Sequence, residues 1–190
     1  MTEVAAMLQA IRFSAHKHQR QRRKDEDASP YINHPIEVAE LLATIGEVTD
    51  LPTLIAAVLH DTVEDTGTTF LEVEETFGRD VRRLVEEMTD DKALPKQERK
   101  RLQIAHAPKL SEGAKQIKIA DKICNVRDVT HTPPPNWSLE RRKEYLKWAA
   151  KVVEGCRGSN TRLEIRFDEV LQEGWLKLEN SWKTFSSINL

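Results

Sequence analysis

Leu51-Pro52-Thr53-Leu54-Ile55-Ala56-Ala57-Val58-Leu59-His60-Asp61-Thr62-Val63-Glu64-Asp65-Thr66 joins the most apolar run of the chain to a knot of histidine and carboxylates. Asp50 stands where it can cap the run and Pro52 suits a first helical turn, so the stretch predicts one buried helix over residues 51–65. On that helix His60 and Glu64 are neighbours one turn apart, and so are Asp61 and Asp65. Asp61, Glu64 and Asp65 crowd the end at which the helix dipole already favours cations. A divalent metal on His60 and Asp61 would supply the counter-charge and leave Glu64 and Asp65 for acid–base work. The plainer alternative is a solvated polar helix end with His60 as a core histidine. The second acidic pair, directly after an apolar run, weighs against it.

Outward from this stretch every long segment reads as helix, and no alternating strand pattern appears. Thr2 caps a first helix with Val4, Met7, Leu8, Ile11 and Ala15 at the helical period. Pro35 starts a second, with Ile36, Val38, Ala39, Leu41, Leu42 and Ile45 inward, stopped at Gly46. Thr69 with Glu72 fits a capping box for a short helix to Phe77, and another covers about Arg79 to Met88. Pro95 opens a charged helix, Ser111 caps a long one through Val126, and Ser138 caps one carrying Tyr145 and Trp148. The last begins near Asn160, with a break allowed at Gly174, after which Trp175, Leu176, Leu178 and Trp182 extend an apolar face. With no repeats or linkers, the expectation is an all-α fold, a single helical bundle of about eight to ten helices. Its domain boundaries are 1–172, with 173–190 as a C-terminal helical extension and tail.

Composition narrows the function. Hydrophobic residues make up 39% and charged residues 32% of 190, enough for one sizeable core. The net charge of −2 gives no case for nucleic acid or an acidic membrane as partner. No apolar run reaches membrane-spanning length, and the N-terminus lacks the basic and apolar regions of a signal peptide. The two cysteines, Cys124 and Cys156, show no CxxC spacing and read as reduced core thiols of a cytoplasmic protein.

A catalytic metal needs ligands from several elements and an open position. His34, fixed between Asn33 and Pro35 at a loop-to-helix junction, can point its imidazole back; as a lone histidine it reads more often as a surface or capping residue. Asp121, inside Ile117-Lys118-Ile119-Ala120-Asp121-Lys122-Ile123-Cys124-Asn125-Val126, shares a helix stripe with Asn125 and Asp128. Taken alone, that stripe is equally a solvated face on which Lys118 and Lys122 pair with Asp121. His34, His60, Asp61 and Asp121 make a mixed N/O set compatible with Mn²⁺, Fe²⁺ or Zn²⁺.

These residues carry a resemblance. His34, His60-Asp61 and Asp121 match the H…HD…D signature of HD-domain metal-dependent phosphohydrolases. Arg22-Arg23-Lys24-Asp25, Tyr31-Ile32-Asn33-His34-Pro35, His60-Asp61-Thr62-Val63-Glu64-Asp65-Thr66 and Ala120-Asp121-Lys122-Ile123-Cys124-Asn125-Val126-Arg127-Asp128 resemble the hydrolase domain of the Rel/Spo family. Over about residues 5–170 the chain is similar to its single-domain small alarmone hydrolases of metazoan type. The resemblance implies hydrolysis of guanosine 3′,5′-bis(diphosphate), ppGpp or pppGpp, to GDP or GTP and pyrophosphate, usually with Mn²⁺. It implies metal ligands at His34, His60, Asp61 and Asp121. Its water-activating pair falls on Glu64 and Asp65, and its nucleotide contacts on Arg23, Lys24, Lys96, Asn125, Arg141 and Tyr145. No synthetase or regulatory domain follows, so the chain is expected only to degrade the alarmone.

The residues agree with that implication. A polyanionic substrate on a chain of net charge −2 needs a local basic pocket, which Arg23, Lys24, Lys96 and Arg141 can supply. Arg23 can stack on a purine as well as pair with phosphate, and Tyr145 follows Arg141 on the same helix face. His16, His18, His106 and His131 match no ligand position and read as surface or packing residues. Other readings stay open: an HD-fold phosphatase on another nucleotide, such as the 2′-phosphate of NADPH; a non-catalytic alarmone-binding module; a helical interaction protein. The oligomeric state is open too, a homodimer included.

Overall fold

A computed structural model describes the backbone of residues 1–188 and the side chains of residues 1–180. Trp182 therefore lies outside the described side chains. Among the described residues there are nine helices of eight residues or more and one four-residue turn of helix. In chain order they are α1 (Glu3–Lys17), α2 (Asn33–Thr44), α3 (Leu51–Leu59), α4 (Thr62–Asp65), α5 (Phe70–Phe77), α6 (Arg79–Met88), α7 (Lys96–His106), α8 (Glu112–His131), α9 (Leu139–Glu154) and α10 (Thr161–Ile188). The expected all-α fold is met. The caps read from sequence also form: Thr2, Asp50, Thr69, Ser111 and Ser138 each accept from a backbone N–H of the first turn.

α8 is the axis of the bundle and packs against α2, α9 and α10. Ile117, Ile119, Ala120, Ile123, Cys124 and Val126 are buried on several of its faces, as a helix covered all round requires. α3 contributes Ile55, Ala56, Ala57, Val58 and Leu59 to the same core. Both cysteines are free and buried, as expected.

The expected helix over 51–65 is broken. α3 stops at Leu59, Asp61 lies at φ −100°, ψ −3°, and α4 resumes at Thr62. Side chains compete for the carbonyls that would carry the helix on: His60 Nδ1 donates to Ala57 O at 2.7 Å, and Thr62 Oγ1 to Leu59 O at 2.6 Å. The break, not helical periodicity, aims His60 and Asp61 inward.

The first helix also differs from its reading. Val4 and Leu8 are 70% and 61% exposed, and the inner face of α1 is built on Ala10 and Ser14. Small residues there let α1 lie close to α3, a preference that apolar counting misses. Ile45 and Leu176 are likewise exposed. α10 runs unbroken through Gly174, because the glycine serves packing: a Cβ there would stand 3.0 Å from Thr130 Oγ1 and 3.2 Å from Leu146 Cδ2. Leu178, one turn on, is fully buried.

Candidate active site

The segment between α1 and α2 folds back on itself. Arg22 and Pro30 form an isolated antiparallel bridge, Arg23 N–H donates to Ser29 O at 2.8 Å, and Tyr31 N–H to Gln21 O at 3.2 Å. The hairpin brings Arg23 over the Tyr31 ring at 5.8 Å and delivers Tyr31 and His34 to the same place. Tyr31 then stands between His18 and His34, its ring centre 4.9 and 5.9 Å from theirs.

His34 from α2, His60 from the α3–α4 break and Asp121 from α8 converge with ligand atoms all within 4.8 Å of one another, and all three are buried. His34 Nε2 is 3.1 Å from Asp121 Oδ1, and His60 Nε2 is 3.8 Å from the same oxygen. Asp61 joins at the rim: its Oδ2 is 3.0 Å from His60 Nε2 and accepts from Tyr31 Oη. Together these residues line a cavity of about 150 Å³ with Glu64, Met88, Gln103, Lys118, Lys122 and Asn125.

A cation fits the donor set. The backbone bond to Ala57 fixes the His60 proton on Nδ1, so neutral His60 presents a bare Nε2 to Asp61 and Asp121. That nitrogen is buried and makes no hydrogen bond. Lone pairs from His60, Asp61 and Asp121 facing one another repel unless a proton or a metal stands between them. The proton is the metal-free answer. Burial disfavours imidazolium at His60, but Asp61 and Asp121 outweigh it and push the pKa up to about 9. At Asp61 burial is likewise overridden, by His60 and His34, and the carboxyl is held well below the usual range. Asp121 is held low against its burial by Lys122, whose Nζ lies 2.8 Å away, and by His34. Asn125 Nδ2 donates to Asp121 Oδ1 at 2.6 Å and orients it. The solvated-stripe alternative for α8 is thereby excluded: Lys118, Asp121 and Lys122 are all buried.

Glu64 and Asp65 part company. Glu64 faces the metal cavity, where Oε2 accepts from Asp90 N–H at 3.0 Å and Oε1 lies 3.5 Å from Arg99. Burial pushes its pKa up; the Asp90 N–H opposes this, and the charges of Asp61, Asp90 and Asp65 add to it. Asp65 lines the neighbouring cleft and is held by Lys92 Nζ and by Gln21 Nε2, the latter at 2.9 Å. Gln21 in turn is 2.6 Å from His18 Nδ1, so buried His18 braces the site from behind.

Two clefts flank the cavity. One, of about 350 Å³, is lined by Arg23, Lys24, Tyr31, Asp65, Asn125, Asp128, Trp137 and Tyr145, and Arg23 is paired there with Asp128. The other, of about 580 Å³, is lined by Lys96, Lys100, Arg141, Tyr145, Trp148 and Glu64. Trp137 and Tyr145 belong to both. Arg141 lies 4.3 Å and Lys96 6.0 Å from the Trp137 ring. The expected nucleotide contacts are thus divided, Arg23, Lys24 and Asn125 on one side, Lys96 and Arg141 on the other, with Tyr145 between. Sequence reasoning missed Gln21, Tyr31, Lys92, Arg99, Trp137 and Lys118, whose roles come from cross-chain placement. Only Tyr31, inside a quoted motif, carried a signal.

A helical bundle around a buried histidine–aspartate constellation defines the class of protein that the H…HD…D residues implied, and the HD domain profile matches residues 10–157. The chain belongs to the HD domain family. It is 56% identical over 163 residues to guanosine-3′,5′-bis(diphosphate) 3′-pyrophosphohydrolase MESH1 of Homo sapiens, covering 86% of this chain and 91% of that protein. It is 54% identical over 177 residues to the Mus musculus protein of the same name, covering 93% and 99%. Among solved structures it superposes with TM-score 0.86 and 49% identity on one described as a metazoan ortholog of SpoT that hydrolyses ppGpp, covering 89% of this chain and 95% of that one.

Proposed function

We propose that this chain is a metal-dependent hydrolase that removes pyrophosphate from the ribose 3′ position of ppGpp or pppGpp, acting in the cytoplasm with Mn²⁺. The observation that carries it is a buried His34–His60–Asp121 group, with Glu64 in the same cavity, flanked by two clefts in which Arg23, Lys24, Lys96 and Arg141 stand beside aromatic rings. The named relatives supply the substrate class. Among the described residues no helix is long and apolar enough to cross a membrane.

His34, His60, Asp61 and Asp121 would hold the ion, which when bound polarises the scissile phosphoryl group and lowers the pKa of water beside it. Tyr31 Oη and Asn125 Nδ2 hold the two carboxylates in orientation. Glu64, whose carboxyl burial makes a better proton acceptor than an exposed one, takes a proton as water oxygen bonds to the inner phosphorus. The bond from that phosphorus to the ribose 3′-oxygen breaks, and the proton that Glu64 accepted passes to that oxygen, directly or through water. Asp65, tied to Lys92 and Gln21, supports the charge balance on the nucleotide side. Arg23 and Lys24 with Asn125 receive one end of the nucleotide, Lys96 and Arg141 the other, and Tyr145 walls both. Residues 1–172 carry this machinery, and α10 continues the bundle beyond them, with Leu178 buried.

The test is incubation of purified protein with Mn²⁺ and a panel of ppGpp, pppGpp, GTP and NADPH, followed by product analysis. Pyrophosphate with GDP or GTP is the expected product. Orthophosphate from NADPH with ppGpp left intact sinks the reading.

A further inference from the structure

Lys118 lies on the stripe of α8 that carries Asp121, Lys122 and Asn125, the residues one and two turns further on. It is 6% exposed. The other lysine buried on that stripe, Lys122, is paired with Asp121 at 2.8 Å. The Lys118 ammonium has neither a hydrogen bond nor an ion pair among the described residues. The carboxylates around it are engaged elsewhere: Asp121 by Lys122 and Asn125, Asp61 by Tyr31, and Asp90 by Gln103 Nε2 at 2.7 Å. An ammonium at the end of a largely buried side chain, facing a cavity with no partner in the chain, is placed to receive an anion that is not part of the chain.

That cavity is the metal cavity. Lys118 lines it together with His34, His60, Asp61 and Asp121, and it also lines a second space of about 230 Å³ with Thr89, Asp90, Arg99 and His106. Gln103 is common to both, so Lys118 and Gln103 form the partition between them. Burial and neighbouring Lys122 push the Lys118 pKa down, against the pull of Asp121, Asp90 and Asp61, as expected of a cation that lacks its counter-ion.

A monophosphate ester brings one phosphoryl group, which the histidine–aspartate group can receive. A pyrophosphate ester brings a second phosphate that needs its own cation further in. We infer that Lys118 holds the outer phosphate of the pyrophosphoryl group, and is the residue by which the site tells a pyrophosphate ester from a monophosphate ester. The inference rests on the proposed function for the identity of the natural ligand, but its chemistry concerns the anion alone. Lys118 keeps hold of the pyrophosphate after the ribose oxygen has left.

The test uses the full chain and two probes, inorganic pyrophosphate and orthophosphate, by titration calorimetry. One series has Mn²⁺ in excess over total anion, so that stripping of metal does not mimic binding; the other has EDTA. In both, the unsubstituted protein is expected to bind pyrophosphate at least about tenfold more tightly than orthophosphate. In Lys118→Met, with metal content unchanged by elemental analysis, that preference is expected to fall below about threefold. A preference retained in Lys118→Met overturns the inference. So does its absence from the unsubstituted protein, or its restriction to the Mn²⁺ series, which would give the selection to the ion. Should the methionine variant lose its helical circular dichroism, Lys118→Gln takes its place, and the unsubstituted protein still decides in both series. Failure to release pyrophosphate from ppGpp would remove the functional reading and leave the titrations standing.

Discussion

His60 Nε2 lies 3.0 Å from Asp61 Oδ2 with no hydrogen bond between them, while Nδ1 of the same ring is committed to Ala57 O. The ring is thus fixed in the orientation of a ligand before any ligand arrives. Without metal the arrangement is stabilised by a proton on Nε2, and this gives a signed pH dependence. The His60 pKa is raised from 6.5 to about 9, so its contribution to the stability of metal-free protein is full below about pH 6.5 and lost as pH rises through about 9. The melting temperature in EDTA should fall over that window. Metal binding near pH 7.5 should expel about one proton per ion, read by calorimetry in buffers of different ionisation enthalpy. Zero proton release would show that His60 is already neutral and the fit argument wrong.

Metal binds only the folded site, so saturating Mn²⁺ should raise the melting temperature above that in EDTA. Asp121→Asn should abolish that rise and the bound metal together, since the amide donates where the carboxylate accepted. Asp121→Asn also strands buried Lys122 beside it, and breaking a buried pair costs about 3–5 kcal/mol. Equal melting temperatures with and without Mn²⁺ in the unsubstituted chain would remove the ion from the fold.

Much of this was legible in the sequence, for reasons that can be named. Caps at Asp50, Ser111 and Ser138 are local chemistry, decided within a few residues. The convergence of His34, His60 and Asp121 was legible because the H…HD…D text ties together residue types that suit one ion. The α3–α4 break was not, because it depends on His60 and Thr62 side chains reaching backbone carbonyls, which period counting ignores. Gly174 was misread for the opposite reason: a glycine inside a helix signals a break locally, whereas here it admits Thr130 and Leu146. Lys118 had only a surface reading, since the residues that share its cavities, Met88 of α6 and Gln103 of α7, lie on other helices.

The end of α10 offers a check on that packing. Leu178 is fully buried while Leu176 is 54% exposed. Leu178→Ala should cost about 2–5 kcal/mol and Leu176→Ala less than about 0.5 kcal/mol, measured by urea unfolding. Equal small effects would mean that the helix beyond Gly174 contributes nothing to the core.

Arg23 is held by Asp128 and lies over Tyr31, in the cleft that Glu64 does not line. From there it contributes binding that does not change between ground and transition states. Arg23→Ala should raise KM by about tenfold to a hundredfold, or about 1.4–2.8 kcal/mol, with kcat little changed. Arg23→Lys should rescue only in part, because ammonium lacks the planar face that lies over Tyr31. A sharp loss of kcat at constant KM would move Arg23 to the scissile end.

Glu64 and Asp65 are adjacent in sequence but line different spaces, which gives the two members of the expected pair different surroundings. Glu64 faces the ligand group with a raised pKa, whereas Asp65 is bound by Lys92 and Gln21 in the nucleotide cleft. Glu64→Gln is nearly isosteric, keeps an acceptor for Asp90 N–H and cannot take a proton from water. It should lower kcat by about 10²–10⁴-fold with metal content and KM close to unchanged. Its pH–rate profile should also lose the acid limb, because the raised Glu64 pKa means the carboxylate base is lost first as pH falls. Asp65→Asn frees Lys92 and Gln21 and should act chiefly on KM. Steady-state kinetics of both variants on ppGpp, with elemental analysis, separate the roles. Turnover above about half that of the unsubstituted protein in Glu64→Gln, with Asp65→Asn inactive, would transfer the base to Asp65.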